Sequence, residues 1–205
     1  MREAIFCETT STLTKDMRPT ILPFSGRYFH FLDPESSEFS VIDIAEGHAQ
    51  VCRFAGHTTD DFAVAQRSVL ASRVVSQDLA PLTLFHNAAE DFVGDPRTPL
   101  KRLVENFRQL EKRIERAIFV HLGLPETLTP AMRAGLVQPA TEQRDATAPH
   151  AEGWDLLPGI DPLDERIVPV RPVEAKGMFL SRVIALAGVE FVPRTMGSER
   201  REELG

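Results

Sequence analysis

The chain has 205 residues, 42% of them hydrophobic and 26% charged, with a formal net charge of −7 at pH 7. That length supports one sizeable core, or one core with a small accessory hairpin. The acidic balance argues against general nucleic-acid binding, which needs a basic face, but leaves room for a locally basic pocket that takes a small anion.

Along the chain, residues 1–22 read as a polar arm without clear periodicity, ending in "RPTILP". The start "MREAIFCETTSTLTKDMRP" is too polar for a secretory h-region, and no apolar run approaches the roughly 20 residues of a membrane span. Cys7 and Cys52 are far apart and lack CxxC spacing, so neither a thiolate metal site nor a disulfide framework is expected. A cytoplasmic, reducing setting is the expectation.

From residue 23 to 190 a single, mainly helical domain is expected. Alternation over Tyr28–Leu32 and again around Phe39–Ile42, on either side of "DPESSE", predicts a small β-hairpin near its start. From Thr59 the period becomes helical: Phe62, Ala65, Val69, Ser72 and Val75 recur at three- and four-residue intervals, with Asp60 and Asp61 near the start. A second helix is expected in "LAPLTLFHNAAEDFV", stopped at Gly94. After Pro96 a third carries Leu103, Phe107, Leu110, Ile114, Ala117, Ile118 and His121 on one stripe, with Lys101, Arg108, Glu111, Lys112, Glu115 and Arg116 on a solvated face. "TPAMRAGLVQPATEQRDAT" is helix-like with an interruption at Pro139. The last helix runs from Val173 to about Leu186, before a charged tail at 191–205.

On a helix, His86 and Glu90 would share a face, with Asp95 just beyond its end. A histidine with two carboxylates suits metal-assisted hydrolysis, in which a cation activates water and a carboxylate moves protons. The same residues also fit a satisfied core histidine and two carboxylates serving the surface or a helix terminus.

The segments "SGRYFHFLDPES", "DIAEGHAQVCRFAGHT", "VAQRSVLAS", "FHNAAEDFVGDPRTPLKRL" and "LEKRIERAI", with "ATEQRD" further on, occur in an order that resembles the HD-superfamily phosphohydrolases. The likeness is to the branch related to bacterial and phage 5′-deoxynucleotidases. It implies an HD-domain helical bundle that holds a divalent cation (Mn, Co or Mg) with a histidine, a His-Asp doublet and a distant aspartate. Carried onto this chain, those positions hold Arg67, His86, Asn87 and Gly135, the last counted back from Glu142, so His86 is the one residual metal ligand. Two carboxylates and an imidazole are gone, and a guanidinium that cannot deprotonate has been added. No metal or other cofactor is therefore expected, unless His48, His57 or His121 rebuild a site.

The resemblance further implies that Glu90 and Asp95 match the carboxylates beside the metal-bound water. By the same likeness Arg27 falls where a substrate phosphate is touched, and Arg53 and His57 lie in a pocket wall. Arg67 either holds a phosphate bidentately or pairs internally with Glu90 or Asp95. The expectation is a nucleotide-binding pseudoenzyme, compatible with a homodimer. An active nucleotide phosphohydrolase with a rebuilt site and a protein-interaction or regulatory subunit stand as the alternatives.

Overall fold

In the computed structural model, which describes residues 19–57, 60–96, 98–132 and 167–187, β1 (Thr20–Ile21) runs antiparallel to β2 (Phe29–His30). Thr20 faces His30 and Ile21 faces Phe29. A hairpin is thus present near the start of the domain, but not between the expected strands. Its first strand comes from the end of the arm, whose residues 1–18 lie outside the described residues together with the 191–205 tail. The "DPESSE" stretch winds into a 3₁₀ turn at Pro34–Ser36. Phe39 leads directly into helix α1 (Val41–Gln50).

The reason lies in Ser40 and Asp43. The Ser40 hydroxyl accepts from the Asp43 amide at 3.3 Å, and Asp43 Oδ2 accepts from the Ser40 amide at 2.8 Å, a reciprocal cap that starts a helix. Asp43 Oδ1 also accepts from the Ser25 amide at 2.6 Å, tying the hairpin turn to α1. The period-two pattern at Phe39–Ile42 spans this cap, and the capping geometry prevails.

Helix α2 (Val64–Val74) buries the expected stripe of Ala65, Val69 and Ser72, and Phe62 is buried just before it. It begins later than expected because the segment before it, described over 53–57 and 60–63, is pinned at its base. Arg53 N–H donates to the Phe62 carbonyl at 2.8 Å, and Val64 N–H to the Val51 carbonyl at 2.9 Å. The second expected helix is two: α3 (Ala80–Phe85) and α4 (Glu90–Val93), separated by a turn over His86–Ala89. The third is also two, α5 (Thr98–Leu103) and α6 (Glu105–His121). Leu103, expected on the buried stripe, is 84% exposed at that break, whereas Ile114, Ala117 and Ile118 are buried. Helix α7 (Pro172–Ala187) buries Ala175, Phe179, Val183 and Leu186 against α1, α2 and α3. Apart from its first residues, the helix-like stretch around Pro139 lies outside the described residues.

Two sets of contacts bind these pieces into one core. Phe29 stacks on Phe92 with ring centroids 4.0 Å apart, and Phe39 meets both edge-on at 5.9 Å, so the hairpin, the segment before α1 and α4 share an aromatic cluster. The Gln66 amide stands in for a strand partner: Nε2 donates to the Val168 carbonyl at 2.7 Å, and Oε1 accepts from the Val170 amide at 3.1 Å. This fixes the segment that leads into α7.

Helices α1 and α4 approach most closely at Gly47. A Cβ placed there would lie 2.6 Å from the Cβ of Asp91, closer than atoms can pack. Gly47→Ala should therefore force α4 away from α1 and destabilise the fold by about 1–3 kcal/mol, despite alanine's better helix propensity. Urea unfolding of the variant measures it, and unchanged or raised stability would contradict this packing.

Candidate functional site

The site is built around Glu90, the first residue of α4 and a buried carboxylate. Arg53, at the start of the pinned loop, places Nη1 2.8 Å from Asp95 Oδ2 and 3.3 Å from Glu90 Oε2, so one guanidinium nitrogen is shared by two carboxylates. From α5, Lys101 Nζ lies 3.6 Å from Glu90 Oε1 and also binds Glu111 of α6. Arg67, buried on α2, contributes a third positive charge that acts on Glu90. Arg53, Arg67 and Lys101 thus come from a loop and two helices distant in sequence.

Burial raises the Glu90 pKa from 4.5 to about 7, with the neighbouring charge of Asp95 adding to the rise. Arg53, Lys101 and Arg67 oppose it in that order, but do not overcome desolvation. Glu90 therefore exchanges its proton near neutral pH, a property that proton-transfer groups need.

His86 and Glu90 are not carried on one unbroken helix, because the turn over His86–Ala89 stands between α3 and α4. In the His86–Ala89 turn, Ala88 N–H donates to the Phe85 carbonyl and Glu90 N–H to the Asn87 carbonyl, a three-residue winding. His86 instead approaches α6, where its Nδ1 lies 2.8 Å from Glu115 Oε1 without hydrogen-bond alignment. The face of α5 and α6 expected to be merely solvated accordingly supplies Lys101, Glu111 and Glu115 to this region.

Of the other expected site residues, Arg27 is exposed and pairs with Glu38 at 3.1 Å, and His57 is exposed beyond the 3₁₀ turn Arg53–Gly56. The structure therefore brings together Arg53, Glu90 and Asp95, places Arg67 within their electrostatic reach, and adds Lys101. Asn87 is buried in the turn beside His86, its Nδ2 without an acceptor among the described residues. Position 135 lies outside the described residues. The residues present do not fit a divalent cation. A guanidinium stands at position 67, an amide at 87, and His86 is turned toward Glu115. Among the described residues, no three or more His, Cys, Asp or Glu side chains are grouped to hold a metal ion.

A second buried contact has no counterpart among the sequence expectations. Next to Glu90, Asp91 meets His48 of α1, with Nδ1 at 2.5 and 2.6 Å from the two carboxylate oxygens, and His48 also feels the charges of Glu90, Arg67 and Arg53. Both side chains are buried, and burial pushes each toward its uncharged form: His48 down to about 3 and Asp91 well above the usual carboxylate range. The neutral arrangement has the Asp91 carboxyl donating its proton to Nδ1. The nearest sequence signal is that Gly47 and His48 lie on α1 with an acidic residue beside Glu90, and neither spacing nor period joins them.

These shifts set the pH dependence of stability. Between pH 4.5 and 7 folded Glu90 binds more protons than its unfolded counterpart, so its contribution to stability falls as pH rises through that window. His48 works the other way between pH 3 and 6.5, because the unfolded chain then binds the extra proton. Comparing Glu90→Gln with the parent protein isolates the first effect. The variant should gain on the parent as pH rises from 5 to 8, by up to about 3 kcal/mol. Urea unfolding at each pH measures it, and a constant difference between the two proteins would refute the raised Glu90 pKa.

No protein-family model matches the chain. It is 36% identical over 164 residues to the uncharacterized protein YfdR of Escherichia coli (strain K12), an alignment spanning 79% of this chain and 92% of that protein. It is also 34% identical over 121 residues to the uncharacterized protein RCAP_rcc00048 of Rhodobacter capsulatus, across 54% of this chain and 62% of the relative. At that identity and coverage of YfdR, the chain belongs to the YfdR family.

Proposed function

We propose that this protein is an HD-type, phosphohydrolase-like pseudoenzyme that holds a nucleotide or another small phosphorylated ligand on fixed cations, with little or no hydrolysis. The observation that carries the reading is the arrangement of Arg53, Lys101 and buried Arg67 around Glu90 and Asp95. By the resemblance of the ordered segments, these match the carboxylates that such enzymes hold beside the metal-bound water. Guanidinium groups recognise phosphate through paired N–H donors and need no metal to do so. A metal-activated water, in contrast, needs anionic and imidazole ligands that positions 67 and 87 no longer supply.

A second reading, residual hydrolysis, is favoured by one observation: Glu90 is pushed up to about 7, where a carboxyl can give or take a proton. Binding and turnover measured together separate the two. Thermal unfolding with deoxynucleoside monophosphates, in EDTA and then with Mn, Co or Mg, should show metal-independent stabilisation. It should reach about 2.7 kcal/mol at a hundred times the dissociation constant. Arg67→Ala and Arg53→Ala should each reduce that stabilisation, and phosphate release should stay at background. Stoichiometric metal with turnover abolished by His86→Ala would overturn the pseudoenzyme reading. The absence of stabilisation by any nucleotide would remove the ligand from it.

A further inference from the structure

Between the hairpin, α1 and α4 lies a cavity of about 140 Å³ that opens to solvent. An engineered apolar cavity of about 150 Å³ holds benzene, so this one has room for a single ring or a branched group of that size. Ile21 and Phe24 of the hairpin and Phe92 of α4 form apolar walls, and Asp43, Glu46 and Asp91 supply acidic groups. Among the described residues, no lysine, arginine or histidine lines it. Phe24 is 67% exposed, so an aromatic ring stands at the mouth within reach of solvent.

The chain itself displays the chemistry that this rim accepts. Lys176 of α7 places Nζ 4.9 Å from the centre of the Phe24 ring and 2.6 Å from Glu46 Oε2. An ammonium over an aromatic face and beside a carboxylate is held by the ring quadrupole and by a charge-assisted hydrogen bond. That bond keeps the Glu46 carboxyl below the usual carboxylate range. Asp43 accepts from the amides of Ser25 and Ser40, so its charge is solvated by main-chain donors. An anion entering the cavity would meet Asp43 and Glu46, whereas a cation would be attracted by both. We propose that this cavity is a binding site for a small organic ammonium, whose apolar body enters against Ile21 and Phe92 and whose head shares the Phe24 ring and Glu46 with Lys176. Ligand and Lys176 then compete for the same acceptor.

The experiment is isothermal titration of the full chain at constant ionic strength with benzylammonium, benzyl alcohol and phenylacetate, which share a ring and differ in head-group charge. Benzylammonium should bind at least about tenfold more tightly than benzyl alcohol, and phenylacetate more weakly than either. Phe24→Leu and Glu46→Gln should each weaken benzylammonium about threefold or more. Lys176→Met, which removes the competing charge and keeps an unbranched side chain, should tighten it by a similar factor. None of these three side chains is fully buried, so the ligand-free variants should melt near the wild-type temperature. Equal affinity for the alcohol and the ammonium would overturn the preference for a cation. Unchanged benzylammonium affinity in both Phe24→Leu and Glu46→Gln, or weaker binding by Lys176→Met, would overturn the placement of the head group. Absence of benzylammonium binding by both wild type and Lys176→Met would overturn the site itself. The substituted residues lie outside the Arg53–Glu90–Asp95 cluster, so these outcomes are independent of the phosphate reading.

Discussion

Burying the carboxylate of Glu90 is the constraint on which the arrangement of this protein turns. A carboxylate removed from water must find cations or lose its charge, and here both happen in part. A unit charge about 4 Å away contributes about 4 kcal/mol at an effective dielectric of 20, so cations in contact matter on the scale of the whole fold's stability. Those cations are drawn from separate parts of the chain: Arg53 from the pinned loop, Arg67 from α2 and Lys101 from α5. The ionic cluster therefore also joins the elements of the domain around α4.

Helix α4 is only four residues long and has little stability of its own. It is held from both sides by opposite solutions to one problem. Glu90 keeps part of its charge by recruiting cations. Its neighbour Asp91 gives up its charge by sharing a proton with His48, in a space so close that position 47 admits no side chain. Phe92, the third residue, completes the anchorage by stacking on Phe29 of the hairpin. Three consecutive side chains thus meet an ionic cluster, a neutral hydrogen bond and an aromatic stack. Small shifts of α4 would disturb all of them at once.

Much of this was legible in the sequence, at the level where local pattern decides. The mainly helical class and the buried stripe of α2 follow from periodicity, and Glu90, Asp95, Arg53 and Arg67 were singled out through ordered segments that resemble an enzyme family, whereas the hairpin takes its first strand from a stretch without clear periodicity. What was missed depends on tertiary geometry. The capping box at Ser40 and Asp43 competes with an apparent strand alternation, and both patterns are present in the same residues. The breaks at His86–Ala89 and Val104 carry neither proline nor glycine, so nothing local announces them. They nevertheless interrupt the run from His86 to Glu90 and leave Leu103 exposed. The pairing of Asp95 with Arg53 follows from the loop closure between Val51 and Val64. The His48–Asp91 contact joins residues 43 apart, with no motif in common.

On the reading proposed above, the same cluster also restricts what kind of ligand enters it. Arg53 already serves Asp95 and Glu90, and Lys101 already serves Glu111, so an incoming anion must exchange with these bonds. A monovalent group with two acceptor oxygens could at best replace a carboxylate already present and would gain little. On the proposed reading, a phosphoryl dianion brings a third oxygen and a second charge, enough to engage Arg53 and Lys101 together. Such an exchange favours strongly charged head groups over weaker ones even when both fit.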